Sequence, residues 1–287
     1  MTKKEPRIKI FVAHHKPWYI YEDDVYVPIQ VWKKASKVDL WILWDDTGDN
    51  ISEKNNNYAE LTAQYWVWKN YDLRDVDYVW LCHYRRYMIY RFKYNPFRFW
   101  NNWKKDHNLY GKIKQSIKYM FWIYIDRPID KKIIQYSSYS LKKYLRKNNY
   151  DIFVSKRNPR NPLHKLWLEN EILWNTLYEV IRDKYPEYTE TIKKIEGLVL
   201  WNGCNIWVLK KEVFIEYNEW LFSILFEFEK KINQKNLMKL CLEEPMTAWT
   251  RFMGCLWERL FNLFIYHKKL HWLKVSHKFN TINFIDA

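Results

Sequence analysis

Glycine and proline are scarce in this 287-residue chain, at 5 and 9 residues. No Pro/Gly/Ser-rich stretch divides it, so a single domain is expected, long enough to bury a sizeable core. Cysteine is scarce too. Cys82, Cys204, Cys241 and Cys255 form no CxxC pair and show no metal-like spacing. That argues against a zinc module or a disulfide scaffold and fits reduced core thiols in a cytosolic protein. No apolar run reaches 18 residues, so no segment is expected to cross a bilayer as a helix. The opening MTKKEPRIKIFVAHH has too short an apolar run for a signal peptide. Acidic residues are in deficit, 33 Asp and Glu against 48 Lys and Arg, for a formal net charge of +15. Such an excess favours an anionic partner: nucleic acid, anionic lipid or a phosphate-bearing substrate.

Apolar and aromatic residues are abundant, at 48% and 20%, with 18 Trp. The apolar share is that of a folded globule. Trp and Tyr suit membrane interfaces and sugar faces as well as cores.

The chain is organised around residues 41–88. The apolar run LWILW ends abruptly in Asp45-Asp46 and the polar loop TGDN. A helix follows, and a second apolar run, YVWLC, ends in His83-Tyr84-Arg85-Arg86. Two short strands joined by a helix make a parallel unit. In open α/β sheets ligands sit outside the carboxyl ends of the strands, where both polar clusters lie. One cluster is acidic and one is basic, as a sugar-nucleotide site would require. A carboxylate at Asp45 or Asp46 can accept from a ribose diol or a base N–H; the structural alternative is an Asx-rich turn. Adjacent Arg85 and Arg86 can fork onto a diphosphate. Alternation along extended chain would put His83 and Arg85 on one face and Arg86 on the other. In the structural alternative, one arginine pairs with Asp75 or Asp77.

A first strand over 7–13 ends in His14-His15-Lys16-Pro17, a second basic cluster at a strand end. Residues 25–36 predict a helix starting near Pro28, an allowed first-turn position. Val38–Trp44 predicts strand two. Asn57 with Glu60 three residues on is an Asn variant of the capping box, ahead of a helix whose Leu61, Tyr65 and Trp68 share a buried face. Residues 91–125 hold 8 Lys/Arg, one acidic residue (Asp106) and 11 aromatics. They look like part of an aromatic, basic insertion over about 91–135. Membrane contact, a nucleic-acid patch and a subunit interface all fit that composition, but no nucleic-acid motif accompanies it. Further on, 137–148 reads as a helix and 150–155 as a strand. A long helical stretch starts at His164 and is interrupted at Tyr185-Pro186. Helices follow at 211–232 and 245–266, and 270–285 reads as an edge strand.

FVAHHKP, PIQVW, DDTGDNISEKN, YAELTAQYWVWKN and LCHYRRYM follow one another in the order of the N-terminal motifs of a bacterial polysaccharide-assembly family. YDIFV, YPEY, KKEVFIEYNEWLF and ERLFN continue it to about residue 265. The chain thus resembles galactofuranosyltransferases of capsule and O-antigen clusters, formerly a domain of unknown function. Across 91–150 the likeness is loose, and Ala59 stands where the family usually has Cys. The resemblance implies an α/β, GT-A-like Rossmann-type fold with a mostly parallel central sheet flanked by helices. It also implies transfer of a sugar from a UDP-sugar donor to a growing, lipid-linked glycan.

That chemistry needs charge stabilisation on a departing diphosphate. Many transferases of this architecture place an Asp-x-Asp metal motif at the relevant strand end. Here His83, Arg85 and Arg86 stand there, so cationic side chains are expected to replace or supplement the metal, manganese or magnesium. The base for an inverting transfer is expected to be Glu258, in the ERLFN motif, or, as runner-up, Glu243-Glu244 (Glu244 in particular) just before Pro245. Asp45 and Asp46 would hold the uridine or ribose, His14 and Lys16 would flank the nucleotide, and Asn50 and Asn55 would fix the loop. Asn202 and Asn205 would line the acceptor side. The expected setting is cytoplasmic, peripheral at the inner face of the cytoplasmic membrane, with an anionic membrane surface as partner and no nucleic acid. The rival class is a non-catalytic glycan- or anionic-lipid-binding protein, which would not need the strand-end clusters.

Overall fold

The structure is a computed structural model that describes residues 5–90, 124–127, 131–155, 170–195, 207–243, 251–271 and 275–284. Its frame is a nine-stranded sheet in the order β3-β2-β1-β4-β8-β7-β9-β5, with β6 paired to β9. The strands are β1 (Ile8–His14), β2 (Tyr26–Gln30), β3 (Leu43–Trp44), β4 (Tyr78–His83), β5 (Arg86–Tyr90), β6 (Tyr124–Arg127), β7 (Ile152–Ser155), β8 (Trp207–Lys210) and β9 (Val275–Phe284). The first four run parallel, so their carboxyl ends open on one side. β8 is antiparallel to β4 and β7, and β9 is parallel to β7 and β6 but antiparallel to β5. The expected mostly parallel α/β sheet is therefore the observed one. β1 is buried at every position but Lys9, the pattern of a parallel strand covered on both faces.

The helices are α1 (Asn55–Tyr58), α2 (Leu61–Asn70), α3 (Lys131–Lys147), α4 (Glu171–Lys184), α5 (Thr189–Ile195), α6 (Lys211–Gln234), α7 (Met238–Glu243) and α8 (Phe252–His271). Helix α2 lies on α6 through Tyr65 and Phe222, with ring centroids 4.9 Å apart. Gln64 Nε2 donates a buried hydrogen bond of 2.7 Å to Asn218 Oδ1. Helix α8 is held to the sheet by aromatics: Phe261 stacks on Trp207 of β8 at 3.5 Å, and Trp257 stacks on Trp80 of β4 at 6.1 Å. This contact fixes where the polar face of α8 stands relative to the end of β4.

Several expectations are corrected. Residues 26–30 are a fully buried strand, not a helix. Ile10 donates to the Val25 carbonyl and Val31 donates to that of His14, so odd-numbered residues of β2 bond to β1. Pro28 therefore turns its missing N–H to the other edge, where β3 pairs only from Ile29 onward, and the proline costs the ladder nothing. Strand two shrinks to Leu43–Trp44 at the sheet's edge. Trp41 is 85% exposed and has a φ of 56°, so the apolar run LWILW is not a buried core strand. The tail strand β9 is internal, between β7 and β5, rather than an edge. β5 went unforeseen because its sequence continues a basic cluster. Most of the expected insertion lies outside the described residues, although Tyr124–Arg127 joins the sheet beside β9.

Candidate functional site: a cleft at the strand ends

The cleft forms where four pieces of chain converge. The end of β4 contributes Leu81, Cys82 and His83, and the corner into β5 contributes Arg85 and Arg86. The turn between α1 and α2 contributes Ala59 and Glu60, and the first two turns of α8 contribute Arg251, Gly254, Cys255, Trp257 and Glu258. The space they enclose is about 240 Å³. On α8, residues 251, 254, 255 and 258 follow the i, i+3, i+4, i+7 spacing of one helix face, while Trp257 and Phe261 face the sheet.

The turn beneath the cleft has a defined cause. Ala59 has φ 50° and ψ −133°, and Glu60 has φ −63° and ψ −10°. These are the two central residues of a type II′ turn, whose first position is normally glycine. The strained carbonyl of Ala59 is held by Asn55 Nδ2 at 2.7 Å, with Thr62 Oγ1 3.2 Å away. Gly254 lets α8 come this close: a Cβ there would stand 3.2 Å from Ala59 Cβ and 3.4 Å from the Tyr58 carbonyl. The capping box is thereby undone. Asn57 accepts from the backbone N–H of Met253 at 3.2 Å, so it caps α8 instead of its own helix. Glu60 makes no side-chain cap for α2 and turns into the cleft.

His83 is a neutral ring. Burial, reinforced by Arg86 and Arg85, pushes its pKa down to about 2. The backbone N–H of Arg85 donates to its Nδ1 at 3.4 Å, which leaves the proton on Nε2. That edge faces Glu60 Oε1, 3.9 Å away. The expectation that Arg86 would point away from His83 and Arg85 is corrected. The chain turns at Tyr84-Arg85 and returns as β5, so strict alternation does not apply, and all three line the cleft. The structural alternative for the arginines does not arise, since Asp75 and Asp77 are both engaged by Arg7.

Of the other expected site residues, Glu258 lines the cleft and Glu244 lies outside the described residues, as do Asn202 and Asn205. Lys16, Asp46 and Asn50 lie elsewhere. Lys16 is exposed, with Nζ 5.7 Å from the centroid of Trp18. His14 is fully buried and stacks on Tyr84 at 5.6 Å, so it does not reach a surface from which to flank a nucleotide. Its pKa is lowered to about 4 by burial, then by His15.

Asp45 is a scaffold residue rather than a ligand for uridine. Fully buried, its carboxylate accepts from the backbone N–H groups of Trp32 and Lys33 at 3.0 and 3.1 Å, from Ser52 Oγ at 2.7 Å and from Thr62 Oγ1 at 2.6 Å. Through Thr62 it braces the turn that carries Glu60. Asn50 donates to the carbonyls of Asp46 and Gly48 and fixes the loop, and Asn55 fixes the α1–α2 turn. Asp45→Ala strands four donors, and we expect a loss of about 3–4 kcal/mol, read as a lowered denaturation midpoint. A loss under about 1 kcal/mol would contradict the bracing role.

His14, fully buried, and His83, partly exposed at the cleft, give the protein a pH signature. The folded pKa values of His14 and His83 lie below the unfolded value of ~6.5, so as pH falls the unfolded chain takes up protons first. Their contribution to stability is complete above that value and is lost on acidification, at about 1.4 kcal/mol per pH unit for each ring. The melting temperature should fall by several degrees between pH 7 and pH 5, and His14→Phe should flatten the slope. A flat profile in the parent protein would refute the neutral, buried assignment.

Glu60, Arg251 and Cys255 were not anticipated as cleft residues. A signal for the helix face did exist, in the helical spacing of Arg251, Gly254 and Glu258. None existed for Glu60, whose sequence context reads as a cap.

A largely parallel sheet with a polar cleft outside its strand ends, lined by both cationic and acidic side chains, is the arrangement of an α/β protein that carries its site at the carboxyl ends of its strands. Residues 9–269 match the family described as Domain of unknown function (DUF4422), and the chain belongs to it. No curated protein matches the chain. Among solved structures the chain is similar to the apo form of WbbM, a bifunctional glycosyltransferase. The TM-score is 0.72 at 26% identity, over 97% of this chain and 45% of that one. The chain thus spans just under half the length of that enzyme.

Proposed function

We propose that this protein is a nucleotide-sugar-dependent glycosyltransferase. It would move a sugar, galactofuranose in our reading, from a UDP-sugar to a growing lipid-linked glycan of a capsule or O-antigen, with inversion. The observation that carries the reading is the cleft itself, in which Arg85 and Arg86 meet the carboxylates of Glu258 and Glu60 at the end of β4. The likeness to WbbM supports the same class.

In this reading the donor's diphosphate lies against the β4–β5 corner. Arg85 and Arg86 stabilise the charge that develops as the bond from the anomeric carbon to the phosphate oxygen breaks. Glu258 takes the acceptor's hydroxyl proton while that oxygen forms the new bond to the anomeric carbon. His83 is neutral and adds no charge at this corner. The nucleoside extends toward the neighbouring strand ends, where Asp46 and Lys16 remain accessible. Among the described residues no group of three or more His, Cys, Asp or Glu could hold a metal ion. We assign charge neutralisation to the arginines, with manganese or magnesium as a possible supplement.

Calorimetric titration with UDP and its sugar conjugates, with and without manganese, tests this. Saturable binding is expected without metal. No binding under either condition would overturn the reading in favour of a glycan- or lipid-binding protein, and activity lost in EDTA and restored by manganese would overturn the arginine assignment. No helix among the described residues is long and apolar enough to cross a membrane. We propose that residues 91–125 hold the enzyme at the inner, anionic face of the cytoplasmic membrane. Flotation with anionic liposomes is expected, and failure to float at low salt would end that part of the proposal.

A further inference from the structure

The cleft holds a carboxylate that the mechanism above does not use. Glu60 projects from the type II′ turn, its side chain 24% exposed. Its near neighbour is His83, whose Nε2–H faces one carboxylate oxygen at 3.9 Å. Glu60 lines the cleft beside Arg85, Arg86, Arg251 and Glu258. The position is strongly determined: a positive-φ alanine, the brace from Asn55, Thr62 and Asp45, and the close approach of Gly254 all act on this one turn. Strain maintained by so many contacts is characteristic of functional positions.

We infer that Glu60 binds the acceptor sugar, accepting hydrogen bonds from hydroxyl groups next to the one that reacts. This rests on the glycosyltransferase reading. The charge layout separates the two substrates. A diphosphate is drawn to the β4–β5 corner, where Arg85 and Arg86 are adjacent, while on the α8 side Arg251 stands beside Glu258. An uncharged polyol offers hydroxyl donors, which a fixed carboxylate oxygen accepts through charge-assisted bonds. The ligand class is therefore an acceptor with at least two neighbouring hydroxyls. Glu60 itself transfers no proton: the acceptor's proton goes to Glu258, and Glu60 returns unchanged after each turnover.

The test compares Glu60→Gln and Glu60→Asp with the parent protein in steady-state transfer, with donor binding measured separately by calorimetry with UDP. We expect the acceptor KM to rise 10- to 100-fold in Glu60→Gln, with kcat within about threefold and UDP affinity unchanged. Glu60→Asp, which keeps the charge but shortens the reach, should fall between the two. A fall in kcat at constant acceptor KM would overturn the inference and make Glu60 the base. An unchanged KM with intact UDP binding would overturn it while leaving the transferase reading in place. Loss of UDP binding by the parent protein would instead remove that reading itself.

Discussion

Glu258→Gln lowers the turnover of sugar transfer by about 100- to 10,000-fold, the range lost when a positioned general base is removed. The change is isosteric on an α8 side chain that is only half-buried, so thermal stability should stay within about 0.5 kcal/mol. UDP affinity should be preserved, because in the proposed mechanism the diphosphate lies at Arg85 and Arg86 rather than at Glu258. This combination of lost kcat, intact fold and intact donor binding separates a base from a structural carboxylate. A Glu258→Gln protein that turns over at the parent rate eliminates the assignment. A strongly lowered melting temperature would instead place Glu258 among the supports of α8, whose chain it shares with the aromatic anchors Trp257 and Phe261.

Arg86→Ala should weaken UDP binding by roughly 30- to 150-fold, corresponding to about 2–3 kcal/mol for a charged, forked contact to phosphate. Arg85→Ala should cost less. Arg85 is exposed, with its guanidinium carbon 5.4 Å from the ring centroid of Tyr84, and solvent screens an exposed charge. Arg86 is half-buried at the cleft, where screening is weaker. Arg86→Lys should recover only part of the loss, since an ammonium cannot make the planar fork. Titration calorimetry at two salt concentrations reads both effects, and the Arg85 contribution should shrink more at high salt. Equal, small effects from both substitutions would mean that the corner does not hold the diphosphate.

These two residues also show how much of the site was legible in advance. That Arg85 and Arg86 end an apolar strand is plain from YVWLCHYRRYM, and strand ends are where α/β sheets bind ligands. That both face the same space was not plain, because it depends on the reversal into β5. β5 takes its place in the sheet through β9, almost two hundred residues later. Asp45 misled for a related reason. An Asp-Asp pair after an apolar run fits a ligand site and a loop lock equally well. The choice is made by Thr62 and Ser52, whose hydroxyls reach its carboxylate only once α2 has docked. His14 misled because β1 continues one residue deeper into the core than its last apolar residue suggests.

The sequence by itself determined which segments are strands and helices where burial dominates. β1, β4, α2 and α6 are marked by continuous apolar runs or a helical stripe, and those signals are local. It also determined that basic and acidic residues gather at strand ends. Only the tertiary structure decided that Pro28 sits in a strand, since that depends on which neighbour its missing N–H would have met. Only the tertiary structure turned Glu60 from a helix cap into a cleft residue, because Asn57 found a better partner at the start of α8. The cleft belongs to the second category: its walls come from residues near 60, 84 and 255, and their meeting is fixed by aromatic packing of α8 on the sheet, which no local pattern encodes.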